Sequence, residues 1–279
     1  MNGACRSFFI LITFVFIWPL QGQEQIPDAQ TQMAISNPSY PVTSGDVYAL
    51  NYMVGATPVT YMITVDYSYR IKVSNLATID ASGKTYQQLK RDVETIVSNN
   101  YPMGGVQFVM VKPGSFSVYI KGEVRRAEER TTWAMGRLSA LINNALTEYS
   151  SIRNITVTAA NGQVKTCDLF KAQRFGDIDQ DPYLRPGDII TVSHIDRKVS
   201  VYGEVERPGL YELLPGEHIR ELIQDYANGY TSWGDTDRVE IIRGMGNTGG
   251  GVETIYLTQE EVDANYPLLT SDMVNIPLK

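Results

Sequence analysis

A chain of 279 residues with a formal charge of −7 is long enough for two or three small domains, each with its own core. Its acidic balance argues against a nucleic-acid partner and against a surface drawn to anionic lipid. Beyond the first residues no stretch approaches the roughly 18 apolar residues of a membrane-spanning helix, and the two cysteines, Cys5 and Cys167, are too few for a disulfide framework.

Residues 1–22 have the layout of a secretory signal peptide: Arg6 supplies a weakly basic start, residues 8–18 are almost unbroken apolar, Pro19 stops the run, and Gly22 is a small residue for cleavage. A retained anchor is the alternative, because the site lacks a small-x-small pattern. Cys5 precedes the apolar core, so no lipid-bearing cysteine is expected. Cleavage would remove Arg6 and take the charge from −7 to −8, leaving Cys167 without a partner for an internal disulfide. Val164, Thr166 and Asp168 alternate around Cys167, which predicts a small buried residue there.

Residues 23–39, rich in Gln, Pro and Ser, predict a flexible lead-in. A folded unit is expected over 40–115. It opens on Tyr40 and the turn Ser44-Gly45-Asp46, and continues with alternating stretches at 61–65 and 70–73 separated by a turn at Asp66-Tyr67-Ser68. Thr85 and Gln88 have capping-box spacing, and Leu89, Val93, Ile96 and Val97 form the apolar stripe of a helix. Tyr101-Pro102-Met103-Gly104-Gly105 breaks that helix before a strand at 106–111.

Two repeats follow, 116–195 and 196–279. Gly122-Glu123-Val124 recurs as Gly203-Glu204-Val205, an offset of 81 that also carries Leu138, Leu141 and Ile142 onto Ile219, Leu222 and Ile223. The offset then becomes 84, carrying Ile155 and Val157 onto Val239 and Ile241, and Leu184, Asp188, Ile189 and Val192 onto Leu268, Asp272, Met273 and Ile276. An insertion in the loop around residues 230–235 is expected to account for the step, which would leave Tyr230 and Trp233 exposed. Each repeat predicts a strand ending on Gly-Glu-Val, a helix with one apolar face, a strand, a hairpin (Ala160-Asn161-Gly162; Gly249-Gly250-Gly251) and a closing strand announced by Pro186-Gly187-Asp188 or Thr270-Ser271-Asp272. The fold class is therefore α+β and multi-domain, with two tandem β-grasp repeats of short mixed sheets, each clasping one helix.

With Tyr40, Gly45, Asp46, Lys84, Thr85, Val106, Val109 and Val111, residues 40–115 resemble the polysaccharide biosynthesis/export domain. The repeats resemble soluble-ligand-binding β-grasp domains in Gly203-Glu204-Val205, Pro208-Gly209-x-Tyr211, Leu222-Ile223, Asp237-Arg238-Val239 with Arg243, and Pro186-Gly187-Asp188. The resemblance implies a component of capsule or exopolysaccharide export, located in the periplasm or on the periplasmic face of the outer membrane. Such a component would be a homo-oligomeric conduit for the polysaccharide that works with an inner-membrane co-polymerase and an outer-membrane partner. This sequence departs from the pore-forming relatives in two respects: no lipid-bearing cysteine follows the signal, and no amphipathic helix follows the last strand. The first repeat also has Arg125-Arg126-Ala127-Glu128-Glu129 in place of Pro-Gly-x-Tyr. A periplasmic saccharide- or ligand-binding module without a transport role is the alternative, and an envelope scaffold is a third.

No catalytic, cofactor or metal residue is assigned. His194 and His218 lack Cys, Asp or Glu partners at ligand spacing and are expected to be structural or superficial. The glycines at 244, 246 and 249–251 lie between two strands, not before a helix, so they form no phosphate cradle. The acidic pairs Asp177/Asp179 and Glu260/Glu261 are sequence neighbours in polar loops, not carboxylates flanking a cleft, so the protein is not expected to be an enzyme. Aromatic content is dominated by 17 tyrosines, residues suited to sugar faces and to interfaces as well as to sheet edges.

Overall fold

The computed structural model describes residues 28–245 and 250–279. The expected signal peptide and the start of the lead-in lie outside these residues, as does part of the glycine loop.

The described part of the lead-in is not flexible chain. Asp28 accepts the Thr31 N–H at 2.7 Å and caps α1 (Ala29–Ser36), whose Thr31 and Ala34 are buried. Thr31 Oγ1 also donates to the Val111 carbonyl at 3.3 Å, pinning the helix to a strand. Composition misled here because a helix this polar is held by docking and not by an apolar stripe.

The first sheet has the order β2-β1-β5, from β1 (Val47–Val54), β2 (Thr57–Thr64) and β5 (Gln107–Lys112), all antiparallel. Tyr48, Leu50 and Tyr52 alternate inward from β1. They meet α2 (Tyr86–Asn100), where the expected capping box between Thr85 and Gln88 is present and Leu89, Val93 and Val97 are buried. Tyr48 stacks on Phe108 at 4.7 Å and on Tyr86 at 5.7 Å. A small hairpin of β3 (Arg70–Val73) and β4 (Ala77–Asp80) lies between β2 and α2; sequence reading had found only its first strand.

Two five-stranded sheets follow with one strand order. The first contains β6 (Ser115–Gly122), β7 (Glu128–Trp133), β8 (Ser150–Thr158), β9 (Val164–Cys167) and β10 (Ile189–His194), ordered β7-β6-β10-β8-β9. The second contains β11 (Lys198–Gly203), β12 (Gly209–Glu212), β13 (Val239–Gly244), β14 (Val252–Leu257) and β15 (Met273–Ile276), ordered β12-β11-β15-β13-β14. In both, the first and last strands of the unit run parallel at the sheet centre and the other neighbours are antiparallel. Among the described residues three apolar clusters form the core, one behind the three-stranded sheet and one behind each five-stranded sheet.

The Gly-Asp turns share one construction. In Ser44-Gly45-Asp46, Pro186-Gly187-Asp188 and Thr270-Ser271-Asp272 the carboxylate accepts the N–H three residues back, at 2.9, 2.7 and 2.7 Å. The residue before each aspartate has positive φ, +89° and +83° at the glycines and +68° at Ser271. Pro215-Gly216-Glu217 repeats the turn with a glutamate, which accepts from Leu214 N at 2.8 Å. At the first of these turns Asp46, buried, also accepts from the Tyr40 and Tyr48 hydroxyls and from Gly114 N. Burial pushes its pKa up despite these donors.

The Gly-Glu-Val positions also match. Gly122 and Gly203 have φ +94° and +82°, and an added Cβ would stand 2.2 Å from the Val192 carbonyl oxygen and 2.1 Å from that of Ile276. Glu123 and Glu204 accept hydroxyls from Thr147 and Thr231. Val124 pairs with Leu146, and Val205 with Tyr230. These last pairs relocate the inserted residues. The offset is 81 at Ile142 and Ile223 but already 84 at Leu146 and Tyr230, so the three extra residues lie within 224–229, not in the loop at 230–235. The first unit fills the interval with the short helix α3 (Leu138–Ile142) and a 3₁₀ turn; the second widens into a π-helix (Glu221–Tyr226), where Ala227 N bonds to the Leu222 carbonyl.

Candidate functional site

A cleft of about 320 Å³ opens between the two five-stranded sheets. β8 supplies Ile152 and Arg153. Phe170 comes from α4 (Leu169–Phe175), Lys198 from the start of β11, Leu210, Tyr211 and Glu212 from β12, and Tyr226 from the π-helix. Three rings form its wall: Phe170 meets Tyr226 edge-on at 5.3 Å and Tyr211 at 6.5 Å, while Tyr211 and Tyr226 lie nearly parallel at 6.1 Å. Tyr226 is almost wholly buried; Phe170 and Tyr211 remain partly open, and Leu210 is exposed.

Arg153 holds the cleft together. Its guanidinium lies 4.7 Å from the Tyr226 ring centre and 5.5 Å from that of Phe170. Nε and Nη2 donate to Asp168 at 3.2 and 3.0 Å; Nη1 and Nη2 donate to Glu217 at 2.7 and 2.8 Å; Nη1 also reaches the Glu212 carbonyl at 2.7 Å. All five donors are thereby used. Burial works against the charge, but the bonds to Glu217 and Asp168 outweigh it and hold the Arg153 pKa above its usual value. Glu217 is held below the usual carboxylate range: burial would raise it, but Arg153, the Tyr226 hydroxyl at 2.6 Å and Leu214 N prevail. Glu212 moves the other way, pushed up by burial: among the described residues its carboxylate receives the Ser151 hydroxyl alone, while Arg153 takes its carbonyl.

Sequence reasoning missed this constellation. Asp168 is 15 residues from Arg153 and Glu217 is 64 away, with no motif linking them. A trace was present in Pro208-Gly209-x-Tyr211, whose tyrosine lies at the cleft and donates to the Arg207 carbonyl at 2.8 Å. Tyr226 belongs to the inserted stretch, so the first unit offers no counterpart.

The residues weighed earlier lie elsewhere. His194 is exposed beside Glu123 at 3.3 Å and stacks on Tyr149; His218 Nδ1 faces Leu268 N and Arg197, both at 3.4 Å. Among the described residues no group of three His, Cys, Asp or Glu is arranged for a metal. Asp177 and Asp179 are exposed, and Glu261 completes the capping box of α5 (Gln259–Asp263). Cys167 is buried, which pushes its thiol pKa up. Trp233 is exposed as expected. Tyr230 is not: it packs on the second unit's core, its hydroxyl is buried with no partner among the described residues, and burial pushes its pKa to about 12.

Residues 198–256 match the SLBB domain, a soluble-ligand-binding β-grasp domain typical of polysaccharide export proteins. The match covers β11 through most of β14, including Tyr211, Glu217 and Tyr226. It is a ligand-binding domain and not a catalytic one. Its last central strand, β15, falls beyond the matched residues. No helix among the described residues is long and apolar enough to cross a membrane.

Proposed function

We propose that this protein is an exported component of capsule or exopolysaccharide export, acting in the periplasm or on the periplasmic face of the outer membrane, where copies assemble a conduit for the polymer. Residues 40–115 serve as the export domain, and 116–195 and 196–279 as tandem β-grasp units. An inner-membrane co-polymerase and an outer-membrane protein are the partners. The observation that carries this reading is the SLBB domain lying in one of two sheets of identical strand order, with an aromatic cleft between them. Partly open tyrosine and phenylalanine rings suit sugar C–H faces, and the clamp around Arg153 keeps the walls rigid, so little ordering is needed on binding.

Native mass measurement of the signal-cleaved protein, without detergent and at high concentration, tests the conduit: a closed homo-oligomer is expected, and a monomer would overturn it. One observation favours a second reading, saccharide capture without transport: the cleft is complete within a single chain. A monomer that retains saccharide binding would select that alternative.

A further inference from the structure

Resting on the saccharide reading above, we propose that the cleft is one half of a longer groove that takes at least two successive residues of a neutral saccharide chain. A second cavity, of about 390 Å³, lies beside the first and shares Ile152 with it. The common wall continues along α4, where Leu169 lines the second cavity and the adjacent Phe170 lines the first. Each cavity alone is at the small end of the roughly 300–1,000 Å³ usual for ligand sites, whereas the pair has room for more than one sugar ring.

The two halves differ in chemistry. Phe170 and Tyr211 present ring surface in the first. The second carries Asn143 and Gln173, both exposed, and neither amide has a hydrogen-bond partner among the described residues. An amide both donates and accepts, which matches the vicinal hydroxyls of a sugar. Ring surface followed by free amides suits a chain with an apolar face and a hydroxylated edge.

Charge selects the neutral class. A uronate or sulfate entering the groove would find no free guanidinium, since every Arg153 donor is engaged. Lys198, whose Nζ donates to the Glu148 carbonyl at 2.7 Å, is the other cation lining the first cavity and Glu212 is the acid lining it, while Asp168 and Glu217 lie behind the lining on Arg153. The second cavity is lined by no charged residue. An anionic sugar would therefore lose its hydration beside Glu212 and the carboxylates that hold Arg153, with Lys198 as the one lining cation not already paired with a carboxylate.

The test is an array of neutral and uronate-containing oligosaccharides, two to six residues long, probed with the whole signal-cleaved protein and followed by calorimetry on the best binder. A neutral series should bind, with affinity rising beyond the disaccharide. Asn143→Ala and Gln173→Ala, at exposed positions that leave folding unaffected, should each weaken binding about 3- to 10-fold, the range of one hydrogen bond. Tyr211→Leu should weaken it by about 10-fold or more, with circular dichroism confirming the fold. Preference for the uronate series overturns the neutral assignment. Neutral binding untouched by all three variants places the polymer elsewhere and overturns the groove, leaving the polysaccharide reading intact. Binding of neither series removes the groove, and export is then judged by the assembly measurement alone.

Discussion

At Gly203 two independent constraints fall on one residue. Positive φ alone costs an alanine about 1–2 kcal/mol, and its Cβ would in addition be forced against the Ile276 carbonyl at 2.1 Å. Gly216 has a similar φ, +86°, but open space around it. Urea unfolding should therefore show Gly203→Ala losing about 3 kcal/mol or more and Gly216→Ala only about 1–2; equal losses would refute the close-approach account. Glu217 provides a pH signature. Its folded pKa lies below the ordinary value of about 4.3, so its stabilisation is complete above that value and is lost as pH falls through the lowered pKa. Wild type should melt well above Glu217→Gln at pH 6, and the gap should narrow below about pH 4. Glu212 has the opposite sign. Its raised pKa means that its charge costs stability as pH rises through it, so thermal unfolding of Glu212→Gln at pH 7 should show no loss or a small gain in stability.

Among the elements, the π-helix shows how a local change creates a site. Three extra residues between Ile223 and Tyr230 widen the helix and deliver Tyr226 against Phe170 and Arg153. Replacing residues 224–229 by Asn-Asn-Ala, the first unit's own connection, should preserve the sheet, because Thr231 and Tyr230 can still reach Glu204 and Val205 as Thr147 and Leu146 reach Glu123 and Val124. Saccharide binding should fall by more than about 10-fold, since the ring wall is lost; unchanged affinity by calorimetry would refute a role for the insertion. Element order was largely legible: alternation at 61–65 and 70–73 located the end of β2 and β3, the break at 101–105 placed β5, and Thr85 with Gln88 fixed the start of α2. The insertion was misplaced because Leu146 and Tyr230 share a backbone role but not a residue type. β7 and β12 escaped notice as edge strands, half open to solvent and lacking a continuous apolar run.

For the whole molecule, the joint between the two larger sheets rests on a buried ion cluster as well as apolar contact, with Phe170 of one unit packed against the core of the other. Arg153→Met would leave Asp168 and Glu217 facing each other without a counter-charge, at a cost of about 3–5 kcal/mol. Adding Asp168→Asn and Glu217→Gln to it should recover part of that loss, and thermal unfolding of the two variants checks the order. No sequence pattern announced this joint, because its members come from both units and lie 15 to 64 residues apart in the chain. The central place of β10 and β15 also has a consequence in time. Each is the last strand of its unit to leave the ribosome, yet each fills the middle of its sheet, between strands made some 30 to 75 residues earlier. Until it arrives the remaining strands can pair only as two separate hairpins with bare inner edges, and loop closure must precede the central pairing. A chain drawn through a narrow passage while growing thus remains threadable until the final strand of each unit has emerged.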